Sequence, residues 1–467
     1  MNPTKCSELS RNDTSNPASG TGIKHSPQDH DDHSDRRNLE GSPELTDSEN
    51  TSVIGVTLLT GGGDRPYVFG LATSLISEGA GLDIIGSDTL DFPELRGKRS
   101  VTFLNLRGSV ESDVGLLRKV FRVGTYYARL LHYTSTSEPK IFHILWNNKI
   151  EIFDRTILML YYKLLGKRIV RTAHNVNAGK RDSKDTYLNR LTLRIQYRLS
   201  DHIFVHTEKM KRELVEEFGV ANSRVSVIPF GINNSVPTTG LTSEEAKEKL
   251  GLRADKKTIL FFGRITPYKG LEYLVTAYQR FLPRREDYQM VIAGRPKDCE
   301  RYWSAIRESV REDVQQGNVI MNASFIPDEE IEVYFKAADV LVLPYRHIYQ
   351  SGVLFLSYSF GLPVLAADVG SLKDEIVEGK TGFAFWPEDP ADLANAIERF
   401  FGSDLYATLD HRRQEIRAYS AEKHSWGVVS KLTMNLYASL LRLPGSGALV
   451  DNHKCKVLVD AKASSKD

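Results

Sequence analysis

The sequence predicts an α/β protein made of two doubly wound, parallel-sheet domains. Three observations lead to this prediction. Short apolar segments typical of strands alternate with helical patterns, the alternation occurs in both halves of the chain, and a segment rich in Pro, Gly, Ser and Thr at 233–242 separates the halves. At 467 residues the chain has room for two such domains and for tails. A ligand-binding cleft between the two domains is therefore expected.

The N-terminal half starts with residues 1–50, a polar segment with almost no aliphatic side chains, which is expected to be disordered. After it, apolar segments predict strands at 52–59, 140–146, 168–173, 202–206 and 225–228. A helical pattern follows the first strand up to about Ser77, and another covers 150–165, where Gly166 ends it. These elements predict one parallel sheet with helices on both faces.

The C-terminal half alternates more regularly. Strands are predicted at 258–262, 289–293, 319–323, 339–343, 363–366 and 382–385. Helices are predicted between and after them at 270–283, 300–313, 328–338, 351–360 and 371–378. In such sheets ligands bind beyond the carboxyl ends of the strands, so polar residues at those ends are the candidates for function.

Composition and charge argue against several classes of protein. The formal net charge of +1 disfavours a general nucleic-acid-binding protein, which would be clearly basic. The three cysteines, Cys6, Cys299 and Cys455, have no metal-site spacing, which favours a reducing compartment. The sequence contains no run of 18 apolar residues and begins with polar residues rather than a signal peptide. We therefore expect a cytoplasmic protein, with peripheral attachment to the inner face of a membrane as an option.

The strongest functional motif is Ile259-Leu-Phe-Phe-Gly-Arg-Ile-Thr-Pro-Tyr-Lys-Gly270. An apolar strand ends at a glycine, Arg264 and Lys269 follow five residues apart, and Gly270 opens a helical pattern. The N-terminus of a helix offers free N–H groups and a partial positive charge, and two cations beside it complete a pocket for phosphate. This motif predicts the binding of a phosphorylated small molecule.

Three other strand ends carry candidate residues. Gly61-Gly62-Gly63 follows the first strand, where missing side chains would let the backbone approach a ligand, although a plain turn is an equally good interpretation. His174 follows the strand at 168–173 and is either a structural histidine or a group that hydrogen-bonds a substrate oxygen. A helix predicted to start near Ser351 and Gly352 would present free N–H groups to a ligand.

Several short motifs occur in a fixed order along the second half of the chain. They are Gly263-Arg264, Lys269-Gly270, Gly361-Leu-Pro-Val-Leu-Ala-Ala-Asp-Val-Gly370, Glu375-Ile-Val377 and Lys380-Thr-Gly-Phe383. In order and spacing they resemble the signature of glycosyltransferase family 4. Val227-Ile-Pro-Phe-Gly-Ile232 resembles the interdomain segment of that family, and Ser425-Trp426 resembles the start of its C-terminal helix. The resemblance covers about residues 52–442 and is weaker in the first half.

The resemblance implies a GT-B fold, in which two facing Rossmann-like domains enclose a cleft. It divides the chain into an acceptor domain at 51–235, a nucleotide-sugar donor domain at 236–424, a helix at 425–443 that crosses back onto the first domain, and a tail at 444–467. It also implies retaining, metal-independent transfer of a hexose from a nucleotide-sugar donor to a glycan or lipid-linked acceptor, in polysaccharide or glycoconjugate biosynthesis. No cofactor is implied.

The same resemblance implies roles for individual residues. His174, Arg264 and Lys269 would be catalytic, with the two cations holding the donor diphosphate and stabilising the charge of the leaving group. The donor-binding residues would be Gly62, Gly63, Gly263, Arg264, Lys269, Gln350, Ser351, Gly352, Val353 and Glu375. For Glu375, a favourable interaction with a helix dipole is an equally good interpretation. No metal-binding residue is implied.

The chain departs from the family at one place. Many members carry two glutamates, eight positions apart, before and within the helix that ends at Gly361. An alignment without gaps on that glycine places Ile348 and Leu356 there, so both carboxylates are missing, and Gln350 or nearby backbone N–H groups could supply polar contacts instead.

Two alternatives to a glycosyltransferase stay open. One is an isomerase of the same fold, similar to nucleotide-sugar 2-epimerases, which would need cleft carboxylates that are not found at matching positions. The other is a catalytically weak sugar-nucleotide binding module.

Two N-terminal helical segments could contact a membrane. Leu116–Leu131 is basic and aromatic and contains no acidic residue, and Arg190, Arg194 and Arg198 recur at four-residue spacing on a second helix. Ordinary amphipathic helices that pack on a sheet have the same pattern. Peripheral membrane contact, which would suit a lipid-linked acceptor, is therefore an open alternative.

Overall fold

Two parallel sheets form the framework of the protein. The computed structural model describes residues 53–108, 116–181, 185–232 and 236–443. Within these residues, one sheet has seven strands and the other has six, and helices connect the strands. The predicted class of two doubly wound α/β domains is therefore confirmed. The predicted tails at 1–50 and 444–467 lie outside the described residues.

The first sheet is built from the N-terminal half of the chain. Its strands are β1 (Gly55–Leu59), β2 (Gly81–Gly86), β3 (Val101–Asn105), β4 (Ile141–Ile144), β5 (Arg168–Thr172), β6 (His202–Val205) and β7 (Val225–Val227). They lie in the order β3-β2-β1-β4-β5-β6-β7, and all neighbours are parallel. Every residue of β4 and β6 is buried, as expected for central strands that are covered on both faces.

Helices cover this sheet on both faces. They are α1 (Arg65–Ser77), α2 (Leu116–Thr136), α3 (Glu151–Arg155), α4 (Ile157–Leu164), α5 (Ala178–Arg181), α6 (Tyr187–Leu199) and α7 (Glu208–Glu216). Asp64 caps the start of α1, because its side chain accepts a hydrogen bond from the backbone N–H of Tyr67. This cap starts the helix directly after the Gly61–Gly63 turn, so the turn lies at the edge of the sheet.

The second sheet repeats the design of the first. Its strands are β8 (Lys257–Phe262), β9 (Tyr288–Ala293), β10 (Val319–Asn322), β11 (Val340–Leu343), β12 (Val364–Ala367) and β13 (Gly382–Phe385). They lie in the order β10-β9-β8-β11-β12-β13, again all parallel. The helices of this part are α8 (Ser243–Lys249), α9 (Leu271–Thr276), α10 (Glu300–Ser309), α11 (Arg311–Gln315), α12 (Asp328–Ala337), α13 (Gly352–Ser359), α14 (Pro390–Phe401), α15 (Asp404–Ala407) and α16 (Leu409–Lys423).

The last helix, α17 (Trp426–Leu441), returns to the first domain as predicted. Its Val429 and Tyr437 belong to the same buried cluster as Leu58 of β1. The hydroxyl of Tyr437 lies 2.6 Å from Nδ1 of the buried His143 on β4, which ties the helix to the centre of the sheet. The predicted crossover helix is confirmed.

The indole of Trp426 packs α17 against α1 and against the interdomain segment. It occupies the space that a side chain at Gly70 of α1 or at Gly231 of the interdomain segment would need. Its Nε1–H donates a hydrogen bond of 2.8 Å to the carbonyl of Ile232. Small residues at both positions therefore let the ring pack where the chain passes between the two domains.

Some predicted elements differ from the structure. β2 and β3 were not predicted, because polar or small residues interrupt their apolar pattern and β3 is an edge strand with no fully buried residue. The predicted helix at 150–165 is broken at Thr156, whose ψ of −86° does not fit an α-helix. The predicted helix at 371–378 is wrong: a single 3-10 turn, Lys373–Glu375, forms there before the chain enters β13.

Membrane-spanning segments are not found in the part of the chain that the structure describes. None of its helices combines the length and the apolar character that a bilayer crossing requires.

Candidate active site

The strand order places two crevices at the edges of the sheets. In the first sheet the order reverses between β1 and β4, and in the second between β8 and β11. Loops that leave such neighbouring strands diverge, which opens a crevice at their carboxyl ends. The crevice of the first sheet lies at Gly61–Gly63 and Trp146, and that of the second lies at Gly263 and the loop 344–351. Of the sequence-predicted site residues, Gly62, Gly63, Gly263, Gln350 and Ser351 are found at these loops, whereas His174 follows β5 and Glu375 follows β12.

Lys269 is buried beside the β8 loop although it carries an ammonium group. The residue is 6% exposed, and its Nζ lies 5.1 Å from the centroid of the Tyr345 ring. A Cβ atom at Gly263 would lie 3.1 Å from this Nζ and 3.3 Å from Cγ2 of Val353. The ammonium and the first turn of α13 therefore both lie next to the Gly263 turn.

The ionisation of Lys269 suits an anion-binding group. Burial, to which the nearby Arg264 adds, lowers the pKa of Lys269 to about 8. The ammonium is still mostly protonated at pH 7, and among the described residues it makes no hydrogen bond or ion pair. A charge that is poorly solvated and unpaired gains most from an incoming anion.

Arg264 differs from Lys269 in exposure. Its side chain is exposed, and no hydrogen bond or ion pair involves it within the described ranges. An exposed guanidinium beside a buried ammonium forms a pair of cations at the end of β8, as the sequence predicted. Together they could hold a phosphate or diphosphate group.

The N-terminus of α13 supplies hydrogen-bond donors next to these cations. Ser351 precedes the helix without capping it, so its hydroxyl does not occupy the first N–H groups, and Gly352 is exposed. The amide oxygen and nitrogen of Gln350 and the hydroxyl of Thr266 are buried without a hydrogen-bond partner among the described residues. Buried polar groups of this kind are usually satisfied by a ligand or water. The predicted residues Gly263, Lys269 and Val353 are thus brought together here.

The two positions where the family often has glutamates are apolar and buried. Ile348 is 8% exposed and Leu356 is 6% exposed, and both belong to the core of the second domain. The structure therefore offers no carboxylate at either position.

Glu375 is engaged by residues just before α17. Its carboxylate lies 2.9 Å from Nζ of Lys423 and 3.3 Å from Nε2 of His424. Burial raises the pKa of Glu375, but His424 and Lys423 outweigh burial and hold it below its ordinary value. The carboxylate is thus ionised and paired, and its role as a donor contact stays a prediction.

His174 lies at the centre of an aromatic cluster at the end of β5. Its ring stacks on Trp146 with centroids 4.2 Å apart, and Tyr67 meets it edge-on at 4.6 Å. Its Nδ1 lies 3.1 Å from Nε2 of His206, whose own Nδ1 lies 3.3 Å from the carbonyl of Ile228. The stacked ring and the histidine pair hold His174 in one orientation.

The hydrogen bonds of this pair define the protonation of His174. A carbonyl can only accept, so Nδ1 of His206 donates to Ile228, and Nε2 of His206 accepts from Nδ1–H of His174. Burial lowers the pKa of His206 to about 4. Burial also lowers the pKa of His174 well below its ordinary value, and the neighbouring His206 adds to this effect. The neutral His174 therefore carries a lone pair on Nε2, which is buried and has no partner among the described residues.

The glycine turn after β1 packs tightly on its neighbours. Gly62 has a φ of 75°, and a side chain there would collide with the guanidinium of Arg107. A side chain at Gly63 would collide with the indole of Trp146. The turn therefore packs closely on Arg107 and Trp146, and its approach to a ligand stays a prediction.

Phe230 of the interdomain segment connects the two halves of the site. It stacks on Phe355 of α13 at 5.1 Å and lies 6.2 Å from the centroid of His174. A second link is the hydrogen bond of 2.8 Å from the hydroxyl of Tyr349 to Glu213 of α7. Both crevices therefore border one cleft.

Sequence reasoning did not single out His206 and Arg107, which the structure places beside the predicted residues His174 and Gly62. His206 follows the end of β6 as His174 follows the end of β5, so the same strand-end argument could have found it. Arg107 follows β3, which was not predicted as a strand, so the sequence did not indicate that Arg107 lies at the carboxyl edge of the sheet.

Two Rossmann-like sheets of this order, joined by a crossover helix and facing one cleft, define the GT-B class of proteins. Comparison with protein families agrees. The Glycosyltransferase Family 4 model matches residues 61–236, and the Glycosyl transferases group 1 model matches residues 242–421. The chain therefore belongs to glycosyltransferase family 4, as the motifs indicated.

Solved structures confirm the fold. A sucrose-phosphate synthase from Thermosynechococcus elongatus superposes with a TM-score of 0.66 at 19% identity, covering 83% of this chain and 99% of that chain. Anabaena HepE in complex with UDP-glucose superposes with a TM-score of 0.63 at 14% identity, covering 82% and 99%. At these identities the likeness concerns the fold.

Curated relatives match over part of their length. A D-inositol 3-phosphate glycosyltransferase of Acidothermus cellulolyticus is 30% identical over 45% of this chain and 48% of its own. An uncharacterized glycosyltransferase of Methanocaldococcus jannaschii is 28% identical over 53% of this chain and 62% of its own. The match to this chain thus spans about half to three fifths of these relatives.

Proposed function

We propose that the protein transfers a hexose from a nucleotide-sugar donor to a glycan or lipid-linked acceptor, with retention and without a metal ion. The observation that carries this proposal is the pair of cations at the end of β8, the buried Lys269 and the exposed Arg264, beside the N-terminus of α13. HepE, which shares the fold, has been solved with UDP-glucose. Retention rests on the family resemblance.

The cations fit the chemistry of the leaving group. When the sugar departs, the nucleoside diphosphate gains negative charge, and preorganised cations stabilise that charge in the transition state. Lys269 is held in place by burial, and Arg264 lies near it along the chain with its guanidinium exposed. Two cations and the helix N-terminus can neutralise the diphosphate, which is why we propose a reaction that needs no metal.

His174 would orient the donor sugar. Its Nε2 lone pair can accept a hydrogen bond from a sugar hydroxyl, and stacking on Trp146 holds the ring in place. With the two family glutamates replaced by Ile348 and Leu356, the amide of Gln350 is the polar side chain that we propose for contact with donor hydroxyls.

The first test is donor binding and turnover. UDP-, GDP- and ADP-sugars are screened for thermal stabilisation of the protein, and the best one is used in a product assay. Release of the nucleoside diphosphate supports transfer. An altered sugar without release would support an isomerase, and binding with neither product would support a binding module.

The site assignment is tested by removing each cation. Arg264→Ala and Lys269→Ala should each lower turnover at least about tenfold, since each removes a charge-assisted contact. Lys249→Ala, which removes an exposed charge at the end of α8, serves as the matched control. Full activity of both site variants would contradict the assignment.

Membrane attachment belongs to the proposal because of the surface of the first domain. On α2, Leu117 is 86% exposed and Phe121 is 78% exposed, and the exposed Arg118 and Lys119 lie beside them. On α4, which bonds to α2 through the Tyr161 hydroxyl, further apolar side chains are exposed: Ile157, Leu160 and Leu164. Apolar side chains flanked by basic ones are typical of surfaces that lie on anionic bilayers.

The predicted basic stripe on α6 is weaker than its sequence suggested. Arg190 forms an ion pair of 2.6 Å with Asp185, which neutralises its charge, whereas Arg194 and Arg198 are exposed. The membrane proposal therefore rests mainly on α2 and α4.

Vesicle flotation tests this attachment. Wild type should float with anionic vesicles, and Arg118→Gln/Lys119→Gln should float less, because surface attraction falls with each lost charge. Lys209→Gln/Arg212→Gln on α7 removes the same charge elsewhere and is the control. Failure of the wild type to float, or equal loss in both variants, would count against contact through α2.

A further inference from the structure

Arg107 is a cation of the first domain that the proposed donor site does not use. It follows β3 at the carboxyl edge of the first sheet, and its backbone N–H bonds to the carbonyl of Gly86 at the end of β2. The residue is partly exposed. Its guanidinium makes no hydrogen bond or ion pair among the described residues.

The guanidinium is nevertheless held in place. Its Cζ lies 5.5 Å from the centroid of the Tyr126 ring, and the guanidinium also lies beside Gly62, where an added side chain would collide with it. The hydroxyl of Tyr126 donates a hydrogen bond of 2.5 Å to Asn148, which fixes the aromatic ring in turn. An arginine fixed by packing, with its N–H groups unused, is preorganised to bind an oxyanion through two parallel hydrogen bonds.

A buried carboxyl group is near enough to feel the charge of this guanidinium but does not pair with it. Asp154 is 4% exposed, and its Oδ1 accepts hydrogen bonds from the hydroxyl of Tyr127 at 2.9 Å and from Asn148 at 3.3 Å. Burial raises the pKa of Asp154, whereas Arg107 favours its ionised form. No hydrogen bond joins the two side chains, so the fork of Arg107 stays available to a ligand.

The position of Arg107 relates it to the reaction centre. Arg107 packs against Gly62, and the next residue, Gly63, packs on the indole of Trp146. His174 stacks on the same indole. Under the proposed function, His174 orients the donor sugar, and the acceptor approaches that sugar from the first domain. A group on the acceptor a short distance from the reacting hydroxyl would then reach Arg107.

We propose that Arg107 is an acceptor-binding residue that recognises a phosphate group, so that the acceptor of this enzyme is phosphorylated. The acceptor part of this inference rests on the proposed function. The same phosphate chemistry can come from a soluble sugar phosphate or from the headgroup of a lipid, and Arg107 would bind both in the same way.

The phosphate site itself can be tested without any sugar transfer. Inorganic phosphate is titrated by calorimetry, at constant ionic strength, into the Arg264→Gln/Lys269→Gln protein, which lacks the proposed donor cations. Adding Arg107→Gln to this background should weaken phosphate binding at least about tenfold. Arg107→Lys should recover only part of the affinity, because lysine keeps the charge but lacks the two parallel N–H donors of the guanidinium.

Arg129→Gln, which removes an exposed charge from α2, is the matched control in the same background. Thermal melting checks that each variant is folded. If Arg107→Gln does not fold, the comparison with Arg107→Lys still tests the site. Phosphate binding that is equal with and without Arg107, or equally weakened by Arg129→Gln, would overturn the site.

Acceptor pairs then test the assignment to the reaction. Sugar transfer is compared between fructose and fructose 6-phosphate, between myo-inositol and its 3-phosphate, and, in detergent micelles, between diacylglycerol and phosphatidylinositol. The phosphorylated member of a pair should be preferred, and Arg107→Gln should raise the KM of that acceptor at least about tenfold rather than the KM of the donor.

The arms of this experiment separate the possible outcomes. Preference in the soluble pairs identifies a sugar phosphate, and preference in the micellar pair identifies a lipid headgroup. Equal use of both members in every pair that is used would overturn the acceptor assignment. If wild type turns over no nucleotide sugar, the proposed function fails, whereas the phosphate titration still decides whether Arg107 binds phosphate.

Discussion

Donor binding should depend on pH through Lys269. Its pKa is lowered to about 8, from an ordinary value of 10.5, chiefly by burial. If the donor diphosphate binds the protonated form, affinity follows the protonated fraction, which is about 0.9 at pH 7, 0.1 at pH 9 and 0.01 at pH 10. The dissociation constant should therefore rise about 90-fold between pH 7 and pH 10, or about 2.7 kcal/mol in binding free energy.

Global unfolding does not produce this trend. Because the pKa of Lys269 is lower in the folded protein, the unfolded chain binds more protons between pH 8 and pH 10.5. The contribution of this lysine to the free energy of unfolding therefore rises with pH across that window. The phosphates of a nucleotide sugar stay ionised throughout, whereas a uracil or guanine base can lose a proton at the alkaline end of this range, which would affect wild type and Lys269→Arg alike.

Isothermal titration of the nucleotide sugar selected by thermal stabilisation, from pH 7 to pH 10, measures the effect. At pH 9, repeating the titration in buffers of different ionisation enthalpy should show uptake of about 0.9 proton per donor bound. Lys269→Arg, which cannot lose its charge in this range, should lack the loss of affinity that the lysine causes. A dissociation constant that does not change in the wild type, or that changes equally in Lys269→Arg, would refute the reasoning.

Three further predictions concern the cleft and the crossover helix. His174→Phe keeps the stacking on Trp146 but removes the Nε2 acceptor together with the hydrogen bond to His206, so kcat/KM should fall at least about tenfold, measured by nucleoside diphosphate release. Trp426→Ala empties the space beside Gly231 and should lower the free energy of unfolding by about 3 kcal/mol in urea titrations. Tyr437→Phe leaves Nδ1 of the buried His143 unpaired and should cost about 1–3 kcal/mol by the same measurement, and an unchanged midpoint would contradict the packing described for α17.

Most of the architecture could be predicted from local patterns. The strands of the second sheet are short apolar runs between helical segments, so their period and their boundaries are visible in the sequence. β3 could not be predicted, because it is an edge strand without a fully buried residue and its burial does not alternate regularly. The helix expected at 371–378 failed for a different reason: the hydroxyl of Tyr358 and the side chain of Thr381 bond to the backbone of this segment.

The candidate site was predictable in part. Gly263, Arg264 and Lys269 are close in sequence, so their meeting at one strand end follows from the chain itself. Glu375 was expected at a helix start, yet its environment is set by Lys423 and His424, which lie almost fifty positions later in the chain. No local pattern contains that information.

The sequence by itself determined two parallel α/β domains, the pair of cations after β8, and the absence of carboxylates at Ile348 and Leu356. Only the tertiary structure decided that Lys269 is buried, that His174 is neutral with a free Nε2, and that Arg107 packs on the glycine turn. The reason is physical. Secondary structure follows the periodicity of neighbouring residues, whereas burial, protonation and pairing depend on contacts between segments far apart in the chain.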